Sequence, residues 1–220
     1  MADQPFWVPL FPLDMVLFPG MALPLHIFEP RYREMVAECL EDHAPFGVVL
    51  ARPESLYGLE VPHAVGTLAR IDDGECLTDG RYNILARGMH RFRIVQESRD
   101  RAYLRGLVTP VCDVDESRDV LLALAGEARD EFRDYLGIVL TLVGSEVREI
   151  AIPRDATELS HTIAMCLTSE DSEKQKLLEM TSASERLQAE IALLRTETQM
   201  LCAQVESPLP PSGTNRALLN

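Results

Sequence analysis

The period of the hydrophobic pattern changes once along this chain, and that change limits the folds open to it. Up to about residue 113 the apolar residues come in short runs or alternate one by one; beyond it they recur every three or four. The first pattern belongs to strands, whose side chains point to alternate faces, and the second to helices. "FWVPLFPLDMVLFPG" (6–20) reads as extended, with prolines tolerable at strand starts, edges and bulges. "FGVVLA" (46–51) and "VGTLARI" (65–71) follow, the latter ended by the turn residues "DDGE". "DGRYNILARG" (79–88) and "HRFRIVQES" (90–98) read as two strands joined by a tight "GMH" connection, and "AYLRGLVTPV" (102–111) closes the series. Six short strands of this kind predict a small, closed or nearly closed β-barrel, because closure hides strand edges.

One helix interrupts the strands. "MALPLHIFEPRYREMVAECLEDH" (21–43) is extended up to Phe28 and helical from Pro30, with Tyr32, Met35, Val36, Cys39 and Leu40 on one stripe. Proline suits the first helical position, where its missing N–H has no intrahelical partner. Glu29 falls at the cap and, four residues from Arg33, is placed to pair with it.

After residue 113 the chain reads as a bundle. Leu121, Leu124, Ala125, Ala128, Phe132, Tyr135 and Leu136 mark one amphipathic helix. Asp155 and Glu158 open a second as a capping-box variant, and a short acidic helix begins at Ser169. Ser182 and Glu185 cap a long final helix carrying Leu187, Ile191, Leu194, Thr198, Leu201 and Val205 at alternating steps of four and three. That seam is under three heptads, short for an independent coiled coil, so its first half is expected inside the bundle. Leu201 and Val205 are expected to project as a self-association or partner-docking site. The predicted division is a β-domain over 1–113, a helical domain over 114–206 and a flexible proline-rich tail over 207–220, an α+β chain.

Charge supports two regions of different construction. Residues 1–112 hold 11 Arg against 15 Asp and Glu, whereas residues 113–206 hold 9 Lys and Arg against 20 acids. The formal net charge of −14 argues against general affinity for nucleic acid or an anionic membrane. Five cysteines, each 36 or more residues from the next and none in a C-x-x-C pair, give no support to a zinc or dithiol site and fit a reducing compartment. With no signal-like start, and with prolines breaking the apolar run from Phe6 to Leu25, a cytoplasmic protein is expected.

The chemistry that would mark an enzyme is missing from the motifs. The two lysines, Lys174 and Lys176, neither follow glycine nor sit in an apolar setting, so neither a phosphate-binding Gly-Lys-Ser/Thr loop nor a Ser–Lys dyad is predicted. No G-x-S-x-G or H-E-x-x-H motif occurs, and the five histidines are isolated. No cofactor and no metal are expected. The stretch 81–105 stands out with seven arginines against Glu97 and Asp100. Arg87, Arg91 and Arg93 on neighbouring strands would form a basic face able to hold single-stranded RNA, or would pair with the acidic helical half.

Taken together and in order, "VPLFPLDMVLFPGMALPLHIFEPRYREMV", "VGTLARI", "DGRYNILARGMHRFRI" and "EKQKLLEMTSASERLQAEIALL" resemble the N-terminal substrate-binding domain of the ATP-dependent Lon protease family, over roughly residues 6–202. The resemblance implies a PUA-like (pseudouridine-synthase-and-archaeosine-transglycosylase-like) β-barrel followed by a helical bundle. In that family the last helix leads into an ATPase and a Ser–Lys peptidase. This chain ends in a proline-rich tail without either motif, so the expected function is the binding half alone, without catalysis: recognition of exposed apolar or unfolded segments, in protein quality control. The pattern offers Phe18, Met21 and Met89 near turns or rims as apolar contacts, with His26, Tyr32 and Arg91 as polar ones. RNA binding through Arg87, Arg91 and Arg93 is the alternative.

Overall fold

A 17-residue strand, Tyr82–Ser98, organises the first half of the protein. The computed structural model describes residues 4–52, 61–144 and 151–206. In chain order its elements are β1 (Phe6–Leu13), β2 (Ala22–Ile27), α1 (Pro30–Glu41), β3 (Phe46–Leu50), β4 (Val65–Cys76), β5 (Tyr82–Ser98), β6 (Arg105–Pro110), α2 (Arg118–Leu142), α3 (Ala156–Cys166), α4 (Asp171–Glu179) and α5 (Ala183–Glu206). The α+β class expected from the sequence is the one observed.

The sheet order is β2-β5-β4-β3-β1-β6, and β6 also pairs with β5. Pairing therefore runs round β5-β4-β3-β1-β6 and returns to β5, with β2 attached outside. The ring is uneven and does not by itself establish the closed or nearly closed β-barrel expected: β1 and β3 are parallel while the other pairs are antiparallel, and register shifts interrupt both flanks of β5. Val8, Leu10, Val49, Phe92, Leu104 and Val108 form one buried cluster. The strand glycines leave space for it; a Cβ on Gly47 would lie 2.6 Å from the Phe92 ring.

Two strand readings are corrected. "DGRYNILARG" and "HRFRIVQES" are one strand, β5, and the "GMH" between them is a bulge, not a connection. β4 runs through "DDGE" to Cys76, with a register shift between Ile71 and Asp73, and the reversal comes at Thr78–Gly80.

α1 begins at Pro30 and buries Tyr32, Met35, Val36 and Cys39, the stripe read from the sequence. They pack with Phe11, Leu23, Ile27, Ile84 and Ala86, and the Phe11 and Tyr32 ring centroids are 4.2 Å apart. Glu29 makes no side-chain cap; its carboxylate accepts from Arg31 Nε at 3.0 Å, not from Arg33.

In the helical half, Asp155 Oδ1 caps α3 by accepting from the backbone N–H groups of Thr157 and Glu158, both at 3.0 Å, and Ser182 Oγ accepts from Glu185 N at 3.0 Å to cap α5. Leu187, Ile191 and Leu194 are buried. Leu201 is half-buried against the same cluster rather than projecting; the side chain of Val205 and the tail 207–220 lie outside the described residues. One apolar cluster joins the halves, combining Val16, Phe18, Leu50 and Val65 with Phe132, Ile163, Leu177 and Leu187.

Candidate functional site

The bulge in β5 creates the site. Thr67 of β4 faces Arg91 and Ala69 faces Gly88, so two steps of β4 are met by three of β5, and the extra residue falls at Met89–His90. Bulges bend a strand and re-aim its side chains. On the N-terminal side of the bulge, Gly88 N donates to Met21 O and Gly20 N donates to Gly88 O, each at 2.9 Å; on the other side, Val111 N donates to Arg91 O at 3.0 Å. Gly88 is required for this approach, because a Cβ there would stand 2.2 Å from Phe18 O.

Between these two anchor points lies a cleft of about 910 Å³. Met89, His90, Arg91 and Phe92 form its floor, Pro19 and Gly20 one margin and Pro110–Asp113 the other. The wall is α3, through Thr157, Glu158, His161, Thr162 and Met165, one face of the helix at helical spacing.

A polar knot sits at the back. Arg91 Nη1 donates to Leu178 O at 2.8 Å and Met180 O at 2.5 Å, and its Nη2 donates to Asp113 Oδ1. Arg186, fully buried, donates from Nε to Ser160 Oγ at 2.6 Å and from Nη2 to Asp113 Oδ2 at 2.8 Å. Thr157 Oγ1 reaches Asp113 Oδ2 at 3.4 Å. Asp113 thus connects β5, α3 and α5. Burial pushes its carboxyl up, but the hydrogen bonds and charge of Arg186 and the charge of Arg91 outweigh this and hold it below its usual range. Burial, then the charges of Arg186 and Arg91, press His161 down to about 3, so its ring is neutral, and its Nε2 has no hydrogen-bond partner.

Of the contacts read from the sequence, Met89 and Arg91 line the cleft. Phe18 lies buried in the shared core, not at a rim, and Tyr32 lies on the buried face of α1; neither lines the cleft. Met21 is half-buried at the α1 core, beside the cleft margin. His26 is exposed on β2, its Nδ1 2.7 Å from Asn83 Oδ1, and does not line the cleft. Arg87, Arg91 and Arg93 do not make one free basic face. Arg87 pairs with Asp72 at 2.6 Å, Arg91 turns under the helices, and Arg93 is exposed. Sequence reading missed Val111, Asp113, Glu158, His161 and Met165; the spacing of Glu158, His161 and Met165 on α3 was the available signal. Among the described residues no cluster of His, Cys, Asp and Glu is arranged to hold a metal, and no helix is long and apolar enough to cross a membrane.

The family model for the ATP-dependent protease La (LON) substrate-binding domain matches residues 7–196. The chain belongs to this family. Among proteins similar to it, Lon protease 2 of Myxococcus xanthus is 28% identical over 214 residues, covering 90% of this chain and 24% of that protein. The Lon protease of Escherichia coli K12 is 29% identical over 210 residues, covering 90% and 26%. The chain thus spans about a quarter of the length of these curated relatives. The crystal structure of a Lon N-terminal domain protein from Xanthomonas campestris matches with a TM-score of 0.63 and 28% identity, covering 85% of this chain and 98% of that one. The N-terminal domain of the Mycobacterium avium complex Lon protease has the same fold, with a TM-score of 0.65 at 20% identity. Membership of the Lon substrate-binding family supports a role in substrate recognition.

Proposed function

We propose that this protein binds exposed apolar segments of other polypeptides in the cleft between the β5 bulge and α3, without catalysis, and serves protein quality control. The observation that carries the reading is the cleft itself: Pro19, Met89, Pro110, Val111 and Met165 give an apolar surface, with a few fixed polar groups at one end. Binding sites have this make-up, and methionine adapts to varied partners. Family membership points to the same kind of role. The bound segment would lie extended across Met89, between the Pro19–Gly20 and Pro110–Asp113 margins.

The test is association of the full chain with unfolded client proteins, measured without ATP. Met165→Asp and Val111→Asp, both at half-buried cleft positions, are expected to reduce binding about tenfold or more while the circular dichroism spectrum is unchanged, by analogy with losses on disrupting an apolar anchor. Binding that survives both substitutions would exclude the cleft. Docking of a partner, or of a second copy, through Leu201 and Val205 at the end of α5 is proposed separately. Sedimentation of the full chain beside one ending at Thr198 tests it.

A further inference from the structure

We propose, resting on that reading of the cleft, that the segment it takes is apolar and flanked by a lysine or arginine, which Glu158 meets at the α3 wall. The charges around the cleft are not equally available. Arg91 has a side chain only 3% exposed, and its guanidinium already serves Leu178 O, Met180 O and Asp113. Arg186 is wholly enclosed and grips both oxygens of Asp113. The two arginines exceed Asp113 by one charge, but both guanidinium groups are buried and already donate to acceptors within the protein. An arriving carboxylate would have to shed its water to reach them.

Glu158 differs. It is exposed on the cleft wall, and its carboxylate has no hydrogen-bond or ion-pair partner among the described residues. Its backbone N–H is held by Asp155, which fixes the first turn of α3 and with it the position from which the side chain reaches. Arg154 and Asp155, just before the helix, offset each other. The wider field has the same sign, since residues 113–206 carry 9 basic against 20 acidic side chains. An apolar cleft surface beside an unpaired carboxylate selects by charge sign as well as by hydrophobicity, and a field of this kind also favours encounter with cationic partners.

The experiment uses three fluorescent peptides with one apolar core, flanked by Lys, Gln or Glu, titrated against the full chain at low and at moderate salt. The Lys-flanked peptide is expected to bind about two- to fivefold more tightly than the Glu-flanked one at low salt, the range of an exposed ion pair, and the gap is expected to narrow as salt rises. E158Q should close most of the gap; Met165→Asp should weaken all three. If Met165→Asp weakens all three but their order is flat or reversed, the charge proposal is overturned and the cleft reading stands. If no peptide binds, or Met165→Asp changes nothing, both fall.

Discussion

Arg186 holds both oxygens of Asp113, with Nη1 3.1 Å from Oδ1 and Nη2 2.8 Å from Oδ2. Arg91 Nη2 also donates to Oδ1. Removing the shared carboxylate would leave two buried guanidinium groups uncompensated. Asp113→Ala is therefore expected to destabilise by about 3–5 kcal/mol, the usual cost of breaking a buried pair, in chemical denaturation. The pH dependence follows from the depressed carboxyl. Its contribution is present above the unfolded carboxylate range and is lost as pH falls through the lower folded value. Asp113→Asn should flatten that acid limb.

Glu190 has the opposite behaviour. Burial drives its carboxyl up to about 8, against the opposing influences of Ser160 and Arg186. One oxygen accepts from Ser160 Oγ at 2.8 Å and the other has no partner. A carboxyl raised on folding is matched to the fold below its unfolded value, near 4.5, and stability declines as pH rises from there towards about 8. Glu190→Gln keeps an acceptor for Ser160 and cannot ionise. Its melting temperature should exceed that of the wild type by several degrees at pH 8, about 2–4 °C per kcal/mol, with the gain shrinking towards pH 4.5. Equal gains at both pH values would count against a protonated Glu190.

The close approach at Gly88 gives a third expectation. With Phe18 O 2.2 Å from the position of a Cβ, Gly88→Ala must displace backbone. Overpacking of this kind costs about 1–3 kcal/mol. Because Gly88 anchors one margin of the cleft, client binding should weaken as well, whereas an equally destabilising change under α1 should leave binding intact. Thermal melts paired with binding titrations separate the two effects.

Met35 provides that control. It is fully buried in the α1 core, away from the cleft. Met35→Ala should cost about 2–5 kcal/mol, measured by urea unfolding, and affinity of the folded fraction should not change.

What could be read from sequence was what neighbours in sequence determine. The Tyr32–Met35–Val36–Cys39 stripe, the Asp155 cap and the buried Leu187–Leu194 seam each follow from a single helix period or turn. β5 was misread because its bulge breaks alternation at the very place where its outer neighbour changes from β2 to β6. The same event misplaced Arg91. Alternation with Phe92 put it on an open face, but at this point both faces are covered, Phe92 by the ring cluster and Arg91 by the end of α4. The cleft needed residues near positions 19, 89, 111 and 161 to meet, and only long-range pairing brings them together.

The pairing of β1 with β6 also sets an order of events during synthesis. Phe6 faces Val108 and Pro9 faces Arg105, so β1 waits about a hundred residues for that partner, roughly 5–20 s at ordinary elongation rates. Throughout that interval an edge bearing Phe6 and Trp7 stands open, the kind of edge that invites pairing with another chain. A protein proposed to hold other chains' exposed apolar segments must itself pass through a stage in which it displays one.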